Sequence, residues 1–403
     1  MNLTLIAGAR PNFMKIAPII HAIQKAQQGG INIHYRLVHT GQHYDVNMSE
    51  MFFEELDIPR PDVNLGCGGG TQAEQTAAIM IAFEKDLMAN PTDLVIVVGD
   101  VTSTMACSIV AKKMNTKVAH VEAGIRSWDL TMPEEINRMV TDTLSDYYFT
   151  TSETANRNLR NIGAREDKIF FVGNVMIDTL LANMHRFRKP DFFDRLQLEN
   201  GNYLVLTLHR PANVDEADKL RKLLSEIVNN VQGSPVVFPI HPRTAKMFSD
   251  LNMVINNLYT VEPLGYLEFN YLVQHSKAVI TDSGGITEET TVMGIPCITL
   301  RDNTERPETC TIGTNELIGT NPSNIKPTLD KLFAGRWEKG GIPPLWDGKA
   351  AERIISILSI ILFMAAWVKE VPLIKPFNES FLVSVEINHI THVPDNLQFY
   401  RNP

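Results

Sequence analysis

Residues 94–122, LVIVVGDVTSTMACSIVAKKMNTKVAHVE, contain the pattern that decides the fold. Two short, mainly apolar runs, Leu94–Val98 and Lys117–Val121, flank a segment in which apolar residues recur at helical spacing. Continuous apolar runs of this length are typical of strands buried on both faces of a parallel sheet. The stretch therefore predicts a strand–helix–strand unit, with Asp100 and Glu122 just beyond the carboxyl ends of its strands.

The same alternation recurs along the chain. Further strand-like runs lie at 3–7, 170–172, 204–208, 236–240 and 278–281. This order predicts an α/β fold whose parallel sheets are doubly wound, with right-handed crossovers. At about 150 residues per domain, 403 residues are too many for one core. We expect one domain over 1–172, a second over 173–360, and an extension of no predicted role over 361–403.

Composition and charge exclude several function classes. The chain carries 37 basic and 46 acidic residues, a net charge of −9, and no basic block, so we expect neither a nucleic-acid nor a membrane partner. The four cysteines lack metal-ligand spacing, which argues against a zinc site and a disulfide framework. We expect no signal sequence, because the first apolar run has the pattern of a strand, and the 15 uncharged residues at 354–368 fall short of the roughly 20 needed to span a bilayer. These features predict a soluble, cytoplasmic enzyme.

Reactive side chains cluster at the ends of the predicted strands. They are Arg10, Asp100, Glu122, His209, Arg210, His241 and Asp282. Ligands of open parallel sheets bind beyond the carboxyl ends of the strands, so two facing domains would gather these groups around one cleft. Each residue alone has a structural explanation, as a helix cap, a core histidine or an ion pair. Their repetition at one topological position favours a functional site.

The segment DSGGITEE, 282–289, has the composition of a phosphate-binding turn. Ser283, Gly284 and Gly285 stand between a predicted strand and helix, where backbone N–H groups and the helix dipole attract an anion. Glu289, about one turn into that helix, is placed to accept hydrogen bonds from ribose hydroxyls. The alternative is a tight turn in which Ser283 serves only as the helix N-cap.

Residues 132–138, MPEEINR, predict a helix start, with proline at its first position and acids in its first turn. The apolar stripe expected to face the core consists of Ile136, Met139, Val140 and Leu144. Glu134 and Arg138 are four residues apart on roughly the opposite face. They form either an exposed salt bridge worth about 0.3–0.5 kcal/mol or a carboxylate–cation pair that faces a ligand.

Several well-known motifs are missing from the sequence. GARPNF follows the first strand where a dinucleotide-binding domain would carry GxGxxG, which argues against a nicotinamide or flavin cofactor. GxSxG, Walker A and HExxH are also absent, which argues against serine hydrolases, P-loop enzymes and zincins.

The ordered motifs resemble the non-hydrolysing UDP-N-acetylglucosamine 2-epimerases. The matching segments are 8–11 with Lys15, 39–43, 99–100, 121–124, 133–138, 207–210, 282–289, 301–302, 304–308 and 346–348. They stand in family order across residues 3–357. The resemblance implies two Rossmann-like doubly wound parallel-sheet domains facing a cleft, in the glycosyltransferase-B arrangement. It also implies acid/base residues in the first domain, UDP bound by the second, no cofactor, no metal, and a homodimer.

The resemblance assigns roles to individual residues of this sequence. The family's acid/base carboxylates fall on Asp100, Glu122 and Glu134, and its catalytic-site cations on Arg10, Lys15, Arg138 and His209. The candidates for substrate binding are Arg10, His241, Phe269 (beside the uracil), Ser283, Gly284, Gly285, Glu289 and Arg306. The chain departs from the family pattern at Asn12, where many members carry glutamate.

The reaction that the resemblance implies is the interconversion of UDP-N-acetylglucosamine and UDP-N-acetylmannosamine, by inversion at sugar carbon 2. Since no carbonyl acidifies that carbon, the family's route expels UDP from carbon 1 as the carbon-2 proton leaves. The product is a 2-acetamidoglucal, to which UDP then adds back. The route needs a base, stabilisation of the departing pyrophosphate and closure that retains both fragments, but no metal or redox cofactor.

Four other functions share part of the pattern. An epimerase of UDP-2,3-diacetamido uronic acids shares GARP, TGQH and PEEINR, although the intact 305–308 motif favours N-acetylglucosamine. A hydrolysing epimerase is disfavoured by Arg10-Pro11 with Lys15. A glycosyltransferase would share the architecture but would not exchange the carbon-2 proton. A non-catalytic nucleotide-sugar sensor would have no need of the three carboxylates.

Overall fold

The computed structural model describes residues 1–42, 52–240 and 256–370, without the side chains of 10, 211, 212 and 362–370. The strands of the first sheet are Asn2–Ala7, His34–His39, Val63–Asn64, Leu94–Val98, Lys117–Val121, Tyr147–Thr150 and Ile169–Phe171 (β1 to β7). Those of the second sheet are Leu204–Thr207, Val236–Pro239, Leu258–Val261, Ala278–Thr281, Cys297–Thr299 and Asn315–Leu317 (β8 to β13).

Helices cover both faces of each sheet. The first eight are Arg10–Gln28, Gln72–Ala89, Thr102–Lys113, Pro133–Leu144, Glu153–Asn161, Val175–Asn183, Phe192–Arg195 and Pro211–Val214 (α1 to α8). The remaining six are Ala217–Asn230, Tyr266–Gln274, Gly284–Met293, Pro307–Thr311, Ile325–Phe333 and Ala350–Glu370 (α9 to α14). Short 3₁₀ turns lie at Glu166–Lys168, Met184–Arg186 and Pro322–Asn324, and a helical turn covers 52–55.

Both sheets have the doubly wound strand order. The first runs β3-β2-β1-β4-β5-β6-β7 and the second β10-β9-β8-β11-β12-β13, with every described pairing parallel. The strand order reverses between β1 and β4, and again between β8 and β11, which is where such sheets bind ligands. The predicted fold, two parallel-sheet α/β domains, is confirmed.

Alternate residues of the central strands pack into cores on opposite faces of each sheet. In the first sheet Leu5 and Ile96 point toward α1, whereas Ile6 and Val95 point toward α2 and α3. In the second, β8 and β9 contribute to one core with α9 and α13, and to another with α7 and α10. Burial on both faces explains why these strands read as continuous apolar runs.

The end of the described chain returns to the first sheet. The residues of α14 that join the first core are Ala350, Ala351, Ile354, Ile355 and Leu358. Asp178 of α6 fixes the start of that helix by accepting hydrogen bonds from its first two N–H groups, at 3.0 and 2.7 Å. The packing thus differs from the predicted division, in which 173–360 formed the second domain. Of the predicted extension over 361–403, residues 371–403 lie outside the described residues.

Helix α4 buries a polar face and leaves part of its apolar stripe exposed. Its buried residues are Glu135, Asn137, Arg138, Thr141 and Asp142. Ile136 and Met139 are 48% and 40% exposed, so their prediction as a core-facing stripe was wrong. Polar burial is tolerated because partners are present: Glu135 accepts from the Ser127 N–H at 2.9 Å, and Asn137 donates to the Asp100 carbonyl at 2.8 Å.

Across the described ranges, no helix combines the length and apolarity needed to cross a membrane.

Candidate active site

Glu122, directly after β5, lies at the centre of the site. It is 2% exposed and has a left-handed φ of 68°. For a residue other than glycine this conformation costs about 1–3 kcal/mol and is characteristic of functional positions. Its Oε2 lies 2.5 Å from Lys15 Nζ and 3.4 Å from Arg306 Nη2. Its Oε1 is buried with no hydrogen-bond partner among the described residues, so one carboxylate oxygen is held by cations and the other remains available.

The turn after β4 leaves room for Lys15 to reach that carboxylate. Gly99 has a φ of 65°, and a Cβ at this position would lie 2.9 Å from Lys15 Nζ. Asn12 fixes the start of α1 on the same side, since its Oδ1 accepts from the Gly8 N–H at 3.0 Å and its Nδ2 donates to the Val98 carbonyl at 3.1 Å. The side chain of Asn12, where the chain departs from the family pattern, therefore holds the ends of β1 and β4 together.

Arg138 of α4 is a second buried cation of the site. It is 2% exposed, with Nη1 3.5 Å from Asp100 Oδ2 and Nε 3.3 Å from Glu135 Oε2. Yet none of its three guanidinium nitrogens makes a hydrogen bond within the described part of the chain. Buried polar groups are nearly always hydrogen-bonded, so this guanidinium is placed for an acceptor that a ligand supplies. The side chain of Asp100 beside it is 28% exposed.

Glu134 does not form the predicted pair with Arg138. Its side chain is exposed, and Arg138 turns instead toward Asp100 and Glu135. Glu134 acts on Arg210 of the second domain: burial and Arg301 lower the pKa of Arg210, and Glu134 is among the carboxylates that oppose this shift. Glu134 therefore faces the cleft between the domains.

His209 follows β8 and is oriented by Asp282. Its side chain is 56% exposed, and its Nδ1 lies 2.8 Å from Oδ1 of the fully buried Asp282. Burial alone would raise the pKa of Asp282, but His209 and the hydrogen bonds from Asn213 and Arg210 outweigh it and hold that pKa below its usual value. This contact leaves His209 Nε2 for a ligand.

Arg306 connects the two domains. Its Nε forms an ion pair with Glu288 Oε1, its Nη2 approaches Glu122, and its Nη1 has no partner within the described ranges. Asn174 Nδ2 donates to the same Glu288 oxygen at 2.8 Å. Burial raises the pKa of Glu288 to about 7 despite the opposing effect of Arg306. The sequence analysis identified Arg306 but assigned no role to Glu288 or Asn174.

The turn at Ser283, Gly284 and Gly285 starts helix α11, as predicted. Ser283 makes no side-chain capping bond, so it does not occupy the N–H groups of the first turn. A Cβ at Gly284 would lie 2.7 Å from Oε1 of Glu305. Arg301 holds the other oxygen of Glu305 at 2.6 Å, and despite burial Arg301 keeps the pKa of Glu305 well below its usual range.

Glu289 lies in a buried chain of hydrogen bonds between the domains. Its Oε1 accepts from Tyr266 Oη at 2.9 Å, and the Tyr266 N–H donates to Glu55 of the first domain at 2.7 Å. Burial raises the pKa of Glu289 to about 7. Phe269 lies on the same helix as Tyr266, α10, and is half-buried.

The structure brings Lys15, Glu122 and Arg306 into one cluster, and Asp100 and Arg138 into a second. His241 and the side chain of Arg10 lie outside the described residues, so their roles stay predictions. Sequence reasoning also missed His120, a fully buried polar residue in the apolar run of β5. Its one signal was a histidine where the pattern called for an aliphatic side chain.

We expect Glu289→Gln to raise the melting temperature at about pH 8, and to raise it much less at about pH 5. A folded-state pKa of about 7, above the ordinary 4.5, means that the ionised form is disfavoured in the native state. That cost is absent below about pH 4.5, grows up to about pH 7 and is constant above it. Glutamine keeps the acceptor for Tyr266 but carries no charge.

Differential scanning fluorimetry across this pH range measures the difference. Glu199→Gln, at an exposed position, controls for the loss of one surface charge. A gain from Glu289→Gln of equal size at both pH values would contradict the assignment.

Comparison with known proteins identifies the family of the chain. The family model for UDP-N-acetylglucosamine 2-epimerase matches residues 25–359. The UDP-N-acetylglucosamine 2-epimerase of Methanocaldococcus jannaschii is 41% identical over 372 residues, which cover 89% of this chain and 99% of that protein. The UDP-2,3-diacetamido-2,3-dideoxy-D-glucuronate 2-epimerase of Pseudomonas aeruginosa is 40% identical over 324 residues, 79% of this chain and 88% of that protein.

A solved structure is similar over the same length. The crystal structure of the M. jannaschii UDP-GlcNAc 2-epimerase in complex with UDP-GlcNAc and UDP superimposes with a TM-score of 0.81, at 40% identity, over 89% of this chain and 100% of that chain. The resemblance inferred from the ordered motifs is therefore confirmed. From its matched length, its identity to the M. jannaschii relative and its fold, the chain belongs to the UDP-N-acetylglucosamine 2-epimerase family.

Proposed function

We propose that the protein interconverts UDP-N-acetylglucosamine and UDP-N-acetylmannosamine by inversion at carbon 2 of the sugar. Family membership supports the reaction class. The observation that carries the proposal is Glu122, a strained, buried carboxylate with one oxygen held by Lys15 and Arg306 and the other without a partner in the described structure. A positioned base beside cations is what an elimination of UDP needs.

The proposed first step is elimination across carbons 1 and 2. Oε1 of Glu122 takes the carbon-2 proton, the C–H electron pair becomes the double bond, and the pair of the C1–O bond leaves with UDP. Lys15 and Arg306 compensate the negative charge that develops on the pyrophosphate. In the ground state these two cations face the ionised carboxylate of Glu122. As Glu122 gains the proton they face the departing pyrophosphate instead, so they stabilise the transition state more than the ground state.

The proposed second step reverses the first on the other face of the sugar. The carboxylic acid form of a second side chain gives its proton to carbon 2, the electron pair of the double bond forms the new C–H bond, and a terminal phosphate oxygen of UDP forms the C1–O bond. Exchange with solvent then returns both carboxyl groups to their starting states. We assign the role of the second side chain to Asp100, because it is partly exposed and lies beside Arg138, whose guanidinium nitrogens have no hydrogen-bond partner in the described ranges. Glu134 and His209 border the same cleft from opposite domains and complete the set that the family pattern predicted.

A UDP-2,3-diacetamido uronic acid is the second candidate substrate. The observation that favours it is the P. aeruginosa relative, whose 40% identity is close to the 41% of the M. jannaschii relative. The chemistry at carbon 2 would be the same. The additional carboxylate on carbon 5 would require one further cation in the cleft.

The test of the proposed function is to supply each UDP-sugar separately and identify the products by NMR. We expect UDP-N-acetylmannosamine from UDP-N-acetylglucosamine, with no free sugar. Conversion of the diacetamido uronate alone would replace the substrate assignment. Free N-acetylmannosamine with UDP would instead identify a hydrolysing enzyme.

We also propose that the protein is a homodimer. Its support is an outward apolar face on two helices that both pack against α3: Ile81 and Met88 of α2 are 57% and 68% exposed, and Ile136 and Met139 of α4 are 48% and 40% exposed. In a two-fold dimer such a face meets its own copy. Light scattering should give twice the chain mass for the wild type and the chain mass for Ile136→Asp combined with Met139→Asp. A monomeric wild type would contradict the proposal.

A cytoplasmic location is proposed on the state of the cysteines. All four, Cys67, Cys107, Cys297 and Cys310, lie within the described residues and carry free thiols. Free thiols are typical of proteins in a reducing compartment.

A further inference from the structure

A buried polar cluster lies directly behind the proposed acid/base residues. We call it the His120 cluster; its members are His120, Asp142 and Arg126, with side chains 0%, 0% and 1% exposed. Asp142 Oδ1 lies 2.6 Å from His120 Nδ1, and its Oδ2 lies 2.6 Å from Arg126 Nη1. Removing charges from water is costly, and an apolar core would avoid that cost. A buried charged cluster at this place therefore points to a role other than stability.

On one side the cluster contacts the turn that carries Asp100. His120 Nε2 lies 2.8 Å from the carbonyl oxygen of Gly99, the residue before Asp100. Gly99 has a left-handed φ of 65° at the end of β4, and the imidazole contacts the peptide group that joins Gly99 to Asp100. A change at His120 would move the peptide that precedes Asp100.

On the other side the cluster contacts the turn that carries Glu122. Asp142 Oδ2 accepts a hydrogen bond from the Gly124 N–H at 3.0 Å, two residues after Glu122. Asp142 belongs to α4, and it lies one helical turn after Arg138. The three segments that supply Asp100, Glu122 and Arg138 to the cleft are thus joined behind it by two side chains.

Each ring nitrogen of the histidine faces an oxygen atom. A carbonyl oxygen can only accept, so His120 Nε2 carries a hydrogen. Although burial raises the pKa of Asp142, His120 and Arg126 outweigh it and hold this pKa below its usual value, so Asp142 is ionised and also accepts. His120 thus lies between two acceptors, the Gly99 carbonyl oxygen and the Asp142 carboxylate, and links them rigidly.

We propose that His120 and Asp142 are positioning residues that set the relative placement of Asp100, Glu122 and Arg138 during carbon-2 epimerisation. This inference rests on the function proposed above. A reaction that removes a proton from one face of the sugar and returns one to the other face requires both carboxyl groups to be correctly placed around the same carbon atom. A displacement of about 1 Å at such a centre costs on the order of 100-fold in rate.

Three variants each remove a different interaction of His120 and Asp142. In His120→Asn the amide nitrogen replaces Nδ1 and keeps the donor to Asp142, whereas in His120→Gln it replaces Nε2 and keeps the donor to Gly99. Asp142→Asn keeps the shape of the carboxylate but removes its charge. Tyr148→Phe is the matched control, because Tyr148 is also buried and its hydroxyl donates to the backbone carbonyl of Asp142 at 3.0 Å. Tyr148 therefore contacts Asp142 without taking part in the hydrogen bonds that join His120 to Gly99 and Asp142.

We expect kcat to fall by about 10- to 100-fold in both His120 variants and in Asp142→Asn, with KM and the Kd for UDP within about threefold of the wild type. Tyr148→Phe should keep kcat within about threefold of the wild type, even if it lowers the melting temperature as much as the other three variants do. Two results would overturn the proposal. One is a kcat in the His120 variants as high as in Tyr148→Phe, and the other is a loss of UDP affinity as large as the loss of kcat.

A spectroscopic readout separates this proposal from the proposed function. The proton between His120 Nδ1 and Asp142 should give a proton resonance far downfield of the amide region in the wild type and in Tyr148→Phe, and none in Asp142→Asn. Its absence from the wild type would contradict the link whichever substrate is used. A wild-type protein that shows the resonance but epimerises neither UDP-sugar would contradict the function instead.

Discussion

Glu122→Gln is expected to reduce kcat by about 10²- to 10⁴-fold, the range typical of a lost general acid or base. The reason is that the amide keeps the shape of the side chain and its contacts with Lys15 and Arg306, but cannot take the carbon-2 proton. UDP affinity should hold or increase, because both cations lose the carboxylate that competes for their charge. Steady-state kinetics with UDP-N-acetylglucosamine and calorimetric titration with UDP measure the two effects.

The control for this substitution is Glu74→Gln. Glu74 lies on the surface and its carboxylate accepts from the Thr71 N–H in a helix capping box, so it carries the same change of charge outside the cleft. We expect kcat within about twofold of the wild type there. A Glu122→Gln enzyme that turned over at a rate similar to that of Glu74→Gln would exclude Glu122 as the base.

Arg306→Met is expected to lower the free energy of unfolding by about 3–5 kcal/mol, the cost of removing one partner from a buried ion pair. It leaves Glu288 and Glu122 buried without their shared cation. The deficit should be largest above about pH 7 and smaller at lower pH, because protonation of Glu288 then removes the unpaired charge. The sign follows from a raised folded-state pKa: the cost of burying ionised Glu288 is absent below about pH 4.5 and grows as the pH rises toward the folded-state value.

Urea unfolding at about pH 5.5 and pH 8 measures this difference. Arg160→Met is the matched control, since Arg160 also pairs with two carboxylates, Glu153 and Glu166, but its side chain is 42% exposed. Exposed pairs contribute about 0–1 kcal/mol. Equal losses in the two variants, or a deficit in Arg306→Met that does not change with pH, would contradict the role of Arg306 as the shared cation.

The parts of the fold that the sequence could predict are those with a local signal. The runs at Leu94–Val98 and Lys117–Val121 are strands as expected, because a strand buried on both faces needs apolar side chains at every position. Asp100, Glu122 and His209 were expected beyond strand ends, and they lie at the strand switch points or next to them. Position along a parallel strand thus carried most of the information about the site.

The parts that could not be predicted depend on partners far along the chain. Helix α4 turned its polar face inward because Asp142 meets His120, 22 residues earlier. Glu288 is paired with Asn174, 114 residues away, as well as with Arg306. Periodicity assigns charged residues to solvent, and it has no means of anticipating a buried partner from another element. The return of α14 to the first core was missed for the same reason.

The measurement that tests the central claim most directly is solvent exchange at carbon 2. UDP-N-acetylglucosamine is incubated with the protein in deuterated water and followed by proton NMR, with Glu122→Gln as the control. The account predicts loss of the carbon-2 proton signal as deuterated UDP-N-acetylmannosamine appears, and little exchange with the variant. Epimerisation that retains the carbon-2 proton, or an absence of epimerisation and exchange with this sugar, would contradict it.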